Sequence, residues 1–174
     1  DEVRRDVKAF WGSYTNVATE ARALLFSAGD EPEVIKACEQ TAAQGLGKLQ
    51  GLDDLHVLPE HILELPPLLR VMLGCAERIY GELHGADLIK IHIGTNKVSL
   101  MTYDDLQGRA IPMMVERVKI LLARADYQVF VHEGEYEPRP LYMKSRFVPD
   151  DYPRYEEQQQ LDEKLDNLDL FNFV

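Results

Sequence analysis

LIKIHIGTNKVSLMTY, residues 88–103, is the stretch on which the fold reading turns. Ile89, Ile91 and Ile93 alternate with Lys90 and His92, Gly94-Thr95-Asn96 breaks the run, and Val98 and Leu100 resume on a period of two. Apolar alternation on both sides of a Gly/Asn turn predicts a β-hairpin. Downstream, Tyr127, Val129 and Val131 alternate with Gln128, Phe130 and His132 and predict a third strand. Between them, Ile111, Met114, Val115, Val118, Leu121, Leu122 and Ala125 recur in steps of three and one, which predicts a helix over 111–125. The order β-β-α-β implies a small, mainly antiparallel sheet with a helix on one face. Residues 141–148, LYMKSRFV, offer a fourth strand with Tyr142, Lys144 and Arg146 on one side.

Upstream of the hairpin the pattern is helical. From Val7 to Leu25 the apolar positions form one amphipathic stripe, interrupted at Gly12-Ser13, where a bend is expected. Phe10, Trp11 and Tyr14 are read as core rather than as a base-stacking platform. Asp30, Glu31, Pro32 and Glu33 suit the start of a second helix, with Val34, Ile35, Cys38 and Ala42 on its buried side. Residues 45–51 are expected to be a loop. No strand precedes this glycine-rich run and no Gly-Lys-Ser/Thr follows, so it lacks the context of a phosphate cradle. A short extended piece and a helical turn from Pro59 follow, with His56 and His61 expected at the surface or at caps. Pro66-Pro67 then opens a helix carrying Leu68, Leu69, Met72, Cys75, Ala76, Ile79, Tyr80 and Leu83 on one face, expected to pack on the first helix. A surface helix over about 151–167 follows, acidic at its start, before the apolar end LDLFNFV. The fold class is therefore α+β in a single domain over 1–174. Residues 1–86 are its helical part, 87–149 its hairpin–helix–strand part, and 150–174 its acidic C-terminal helix and tail.

Charge narrows the function classes. The chain of 174 residues carries a formal charge of −11. Residues 1–86 hold 8 basic and 14 acidic side chains, residues 87–149 hold 9 and 8, and residues 150–174 hold 2 and 8. Indiscriminate coating of nucleic acid needs broad phosphate neutralisation, which this balance disfavours. Only the middle third has room for a local basic face. No apolar run reaches the ~20 residues that span a bilayer, no signal-peptide core is present, and a cytoplasmic location is expected. Cys38 and Cys75 lack CxxC spacing and read as free thiols. No metal, Ser-His-Asp or phosphate-loop spacing stands out, although a site assembled from His92, His132 and Asp104 remains one reading.

The segments LPPLLRVMLGCAERIYGEL (65–83) and ADLIKIHIGTNKVSLMTYDDL (86–106) resemble the C-terminal region of the DNA phosphorothioation-associated putative methyltransferases. RRDVKAFWGSYTNVATEARALLFSAGD (4–30) is similar to the segment that follows the catalytic half in that family, and LYMKSRFVPDDYPRY (141–155) more loosely to its late segment. The S-adenosylmethionine half of that family has no counterpart here. No catalytic, cofactor-binding or metal residue is therefore carried over, and S-adenosylmethionine is expected only if an upstream half exists. The resemblance implies a non-catalytic accessory domain of a bacterial DNA modification or antiphage defence system, engaging DNA or a partner protein. Candidate contacts are Lys90, His92, Lys97, Arg139, Lys144 and Arg146. The competing reading of these six is an ordinary solvated sheet face. A protein-interaction or oligomerisation module is the alternative function, with Leu168, Leu170, Phe171 and Phe173 as its candidate interface tail.

Overall fold

The computed structural model describes residues 2–132, 137 and 139–168. The class is α+β, as expected. Helices α1 (Glu2–Trp11), α2 (Tyr14–Ser27) and α3 (Glu31–Ala43) lead into strands β1 (Gly47–Gln50) and β2 (Asp54–Val57). A 3-10 turn (Pro59–Glu64) and α4 (Pro67–Tyr80) precede β3 (Leu88–His92), β4 (Lys97–Tyr103), β5 (Met113–Leu121) and β6 (Asp126–Val131). The two-residue strand β7 (Arg139–Pro140), a 3-10 turn (Lys144–Arg146) and α5 (Tyr155–Asn167) complete the described order. All pairings are antiparallel, and the sheet order β1-β2-β3-β4-β5-β6 is the chain order, with β7 beside β5. Among the described residues no helix is long and apolar enough to cross a membrane.

Alternation puts one face of the sheet in the core. Leu55, Val57, Ile89, Ile91, Val98, Leu100, Val118 and Ile120 meet Val34, Ala37 and Cys38 of α3 and Leu69, Met72, Leu73 and Ala76 of α4. Full burial of such side chains contributes about 1.5–3 kcal/mol each. Cys38 and Cys75 are free thiols, and burial, with Glu39 adding, pushes Cys38 up to about 12. A second, smaller cluster on the opposite face joins Leu58, Leu88, Met101, Tyr103 and Leu106 to Leu141, Phe147 and Tyr152.

The hairpin forms as its alternation dictates, with Gly94 and Asn96 at positive φ in the turn. Its successor does not follow the helical spacing: 113–121 is strand β5, not part of a helix over 111–125. Pro112 disfavours helix before it. Val118 and Ile120 point into the core while Arg117 and Lys119 point out, and β5 finds hydrogen-bonding neighbours on both sides. Residues 47–50 are likewise a strand rather than a loop. Gly47 makes this possible, since a Cβ there would lie 2.6 Å from the His56 carbonyl oxygen. The strand expected over 141–148 does not form: after the two residues of β7 the chain enters a 3-10 turn through Met143 at φ 55.

At the N-terminus the expected bend is a full break. Gly12 adopts φ 72, and Ser13 Oγ caps α2 by accepting from Asn16 N at 3.2 Å. Phe10, Trp11 and Tyr14 are not core: Phe10 is 77% exposed, and α2 contains no buried residue. The two helices are held by side-chain bonds such as Trp11 Nε1 to Glu20 at 2.7 Å, while α2 rests on α4. His56, expected at the surface, is buried, because the C-terminal segment covers it edge-on with Phe147.

Candidate nucleic-acid interface

Directly paired residues in an antiparallel sheet share a face. Two cross-strand rows therefore run across the face that α3 and α4 leave free. One is His56, Lys90, Ser99, Lys119; the other is Asp54, His92, Lys97, Leu121. Arg117 stands in the next row, opposite Met101. The face thus gathers Lys90, Lys97, Arg117 and Lys119, with Arg139 of β7 close enough to act on Arg117. Two carboxylates stand on it: Asp54, which binds Lys90 Nζ at 2.5 Å and His92 Nδ1 at 2.9 Å, and Asp126 of β6, which ends the Leu121 row. Among the described residues Lys97 and Lys119 have no ion-pair partner.

Hydrogen bonds run through this face in one direction. Arg117 Nη2 donates to Ser99 Oγ at 3.4 Å, and His92 Nε2 lies 2.9 Å from the same oxygen. Burial, reinforced by the Lys90 charge, lowers His92 to about 4, and the opposing pull of Asp54 does not offset it. A neutral His92 donates Nδ1–H to Asp54 and accepts the Ser99 hydroxyl hydrogen at Nε2. Burial also lowers Lys119, with Arg117, Lys97 and Lys90 pressing the same way. Like charges this close disfavour the protonated form of Lys119.

The Asp54–His92–Ser99 spacing matches that of a nucleophile activated by a histidine base. Its setting differs. Ser99 is 0% exposed and lies mid-strand, paired with β3 on one side and β5 on the other. The relay fixes the orientation of His92 and Arg117 and presents no accessible hydroxyl.

The face is bounded on the β1–β2 side and at its Leu88, Met101 and Tyr103 end, which Leu141, Phe147 and Tyr152 cover. Gln50 Nε2 donates to the Arg146 carbonyl, His56 meets Phe147 at 4.9 Å, and Lys48 binds Asp150 at 2.6 Å and Tyr155 at 3.3 Å. Exposed Glu163 and Asp166 of α5 line the same margin, making it acidic.

Of the six expected contacts, Lys90, His92 and Lys97 lie together on the open face, and Arg139 stands beside it. Lys144 does not belong to it. This residue is 3% exposed, and its ammonium donates to the carbonyls of Leu106 at 3.0 Å and Arg109 at 2.6 Å, so it closes a loop rather than meeting a phosphate. Arg146 sits on the acidic margin, 3.6 Å from Asp166. Leu168 is 58% exposed, whereas Leu170, Phe171 and Phe173 lie outside the described residues. His92, His132 and Asp104 are not assembled as one centre. Asp104 binds Arg109, His92 binds Asp54, and His132 Nδ1 lies 3.0 Å from the Glu137 carbonyl.

Sequence reasoning missed Asp54, Ser99, Arg117 and Lys119. Ser99 was within reach, since it shares the parity of Lys97 in the hairpin. Arg117 and Lys119 became visible only once 113–121 was a strand. No protein-family model, no curated protein and no solved structure matches the chain.

Proposed function

We propose that the chain is a non-catalytic accessory domain of a bacterial DNA modification or defence system of the phosphorothioation-associated methyltransferase kind. It engages the DNA backbone through the open face of β3, β4 and β5. One observation carries this reading: a chain of charge −11 concentrates Lys90, Lys97, Arg117 and Lys119 on one sheet face, where among the described residues Lys97 and Lys119 have no carboxylate partner. The resemblance of 65–83 and 86–106 to that family supplies the biological setting.

Lys90 is paired with Asp54, so Lys97 and Lys119, with Arg117 held beside them at Ser99, are the cations that would meet phosphates. Three neutralised phosphates give a slope of log affinity against log salt of about −2 for a single strand and about −3 for a duplex. Fluorescence anisotropy with labelled oligonucleotides across a salt series reads this directly. The paired substitution Lys97→Glu/Lys119→Glu is expected to weaken binding at least ~10-fold at low salt. Absence of binding at low salt, or equal binding by that variant, counts against the reading.

A second reading, a protein-interaction or oligomerisation module, has its own observation. Val3, Phe10, Tyr14, Leu25 and Phe26 are exposed on the N-terminal helices, Phe26 to 79%. Exposed apolar groups in such number mark interaction surfaces. Light scattering on the chain before and after Phe10→Ser/Phe26→Ser tests it, and an unchanged monomeric mass removes the oligomer version.

A further inference from the structure

We propose that the cationic face takes single-stranded DNA in preference to duplex, an inference that rests on the DNA reading above and names its substrate. Three features of the face support this.

The first is shape. Every cation of the cluster stands on an extended strand, while α3 and α4 pack on the opposite side of the sheet. Duplex is read by an element that enters a groove, and the major groove alone is about 12 Å wide. Among the described residues the helix on the outer side is α5, and its exposed Glu156, Glu157, Glu163 and Asp166 would meet phosphates with like charge.

The second is width. Strands lie about 4.8 Å apart, so the face from β3 to β6 measures roughly 14 Å, and Leu141, Phe147 and Tyr152 cover its Leu88–Met101 end. The covered β1–β2 margin closes it on one side through Phe147, Asp150 and the α5 carboxylates. One backbone can follow Lys97, Lys119 and Arg117 along this strip. A second phosphate rail would be pushed onto the acidic margin.

The third is what lies between the cations. His92 offers a partly exposed ring fixed by Asp54 and Ser99, and the Arg117 guanidinium is held at Ser99 through Nη2 with its Nε buried. Unpaired bases stack on histidine and arginine planes, and their edges are open to side chains such as the exposed Gln128 in the Lys119 row. In a duplex those base faces are already occupied by their neighbours.

The test uses the full chain and three labelled probes of one mixed sequence, roughly 20 nucleotides long: a deoxy single strand, its duplex and the ribose single strand. Anisotropy titrations at low salt are expected to give the deoxy single strand at least ~10-fold tighter binding than the duplex. Lys97→Gln/Lys119→Gln, checked for an unchanged melting temperature, is expected to weaken the single strand most. Equal or tighter duplex binding overturns the single-strand inference and leaves the DNA reading standing. Binding of neither deoxy probe brings down both. Tighter binding of the ribose strand reassigns the face to RNA and overturns the choice of DNA.

Discussion

Asp162 is the residue whose removal should cost the fold most for the fewest atoms. Its side chain is 2% exposed on α5. Oδ2 accepts from Ser145 N at 2.8 Å and from Ser145 Oγ at 2.6 Å, while Oδ1 accepts from Gln158 Nε2 at 2.8 Å. The carboxylate also faces the buried Lys144 ammonium, whose pKa burial lowers and Asp162 raises. Asp162→Ala therefore strands three buried donors and withdraws a countercharge. An unsatisfied buried donor costs about 1–3 kcal/mol. The Ser145 hydroxyl and the Gln158 amide can turn to other partners, but the Ser145 backbone amide cannot. The expected loss is about 3–5 kcal/mol, the range for breaking a buried charged network. Domains hold only about 5–15 kcal/mol in total. Asp162→Asn keeps the shape and one acceptor oxygen, so its loss should be smaller, about 1–2 kcal/mol. Urea unfolding followed by circular dichroism measures both, with the slope of the transition checked for constancy. An alanine variant within ~1 kcal/mol of the parent would refute the view that this network clamps α5 to the 144–146 turn.

Two other expectations concern histidine and glycine. His56 is lowered to about 3, chiefly by burial and then by the Lys90 charge, so the folded chain keeps it neutral. Below about pH 6.5 the unfolded chain takes up a proton that the folded one refuses, and stability falls by about 1.4 kcal/mol per pH unit. His92, lowered to about 4, adds in the same direction over pH 6.5 to 4. His56→Leu should abolish its own share, flattening the fall by about 2 kcal/mol between pH 6.5 and 5, as read from urea midpoints at successive pH values; an unaltered pH slope contradicts the assignment. Gly47→Ala should lower the melting temperature, with a cost of about 1–3 kcal/mol for forcing a methyl against the His56 carbonyl. A gain in stability, the ordinary result of replacing strand glycine, would show that β1 does not approach β2 this closely.

The legible parts of the fold are those where one periodicity had no rival. The hairpin, α3, α4 and β6 are of this kind, because turn residues bracket a single unambiguous repeat. β5 was not, because Met114, Val115, Val118, Leu121 and Leu122 satisfy helical spacing while Arg117, Val118, Lys119 and Ile120 satisfy alternation. Pairing with β4 and β6 decided the matter, and no local window contains that information. β1 was hidden by its glycines. Lys144 looked like a surface cation because sequence carries no sign that two carbonyls will cap it. On the site, parity within the hairpin located Lys90, His92 and Lys97. Asp54, Arg117 and Lys119 join them through strand order, which sequence did not reveal.

Strand order identical to chain order has a kinetic consequence. Each strand from β1 to β6 pairs with the one made just before it, so the sheet can grow as the chain emerges during synthesis, with the α4 crossover between β2 and β3 as the long connection among them. The exception is the last event. Lys48 meets Asp150 across 102 residues, and Gln50 meets Arg146 across 96. The β1–β2 margin therefore stays uncovered until nearly the whole chain exists, and the acidic wall beside the cationic face is the slowest part of the domain to assemble.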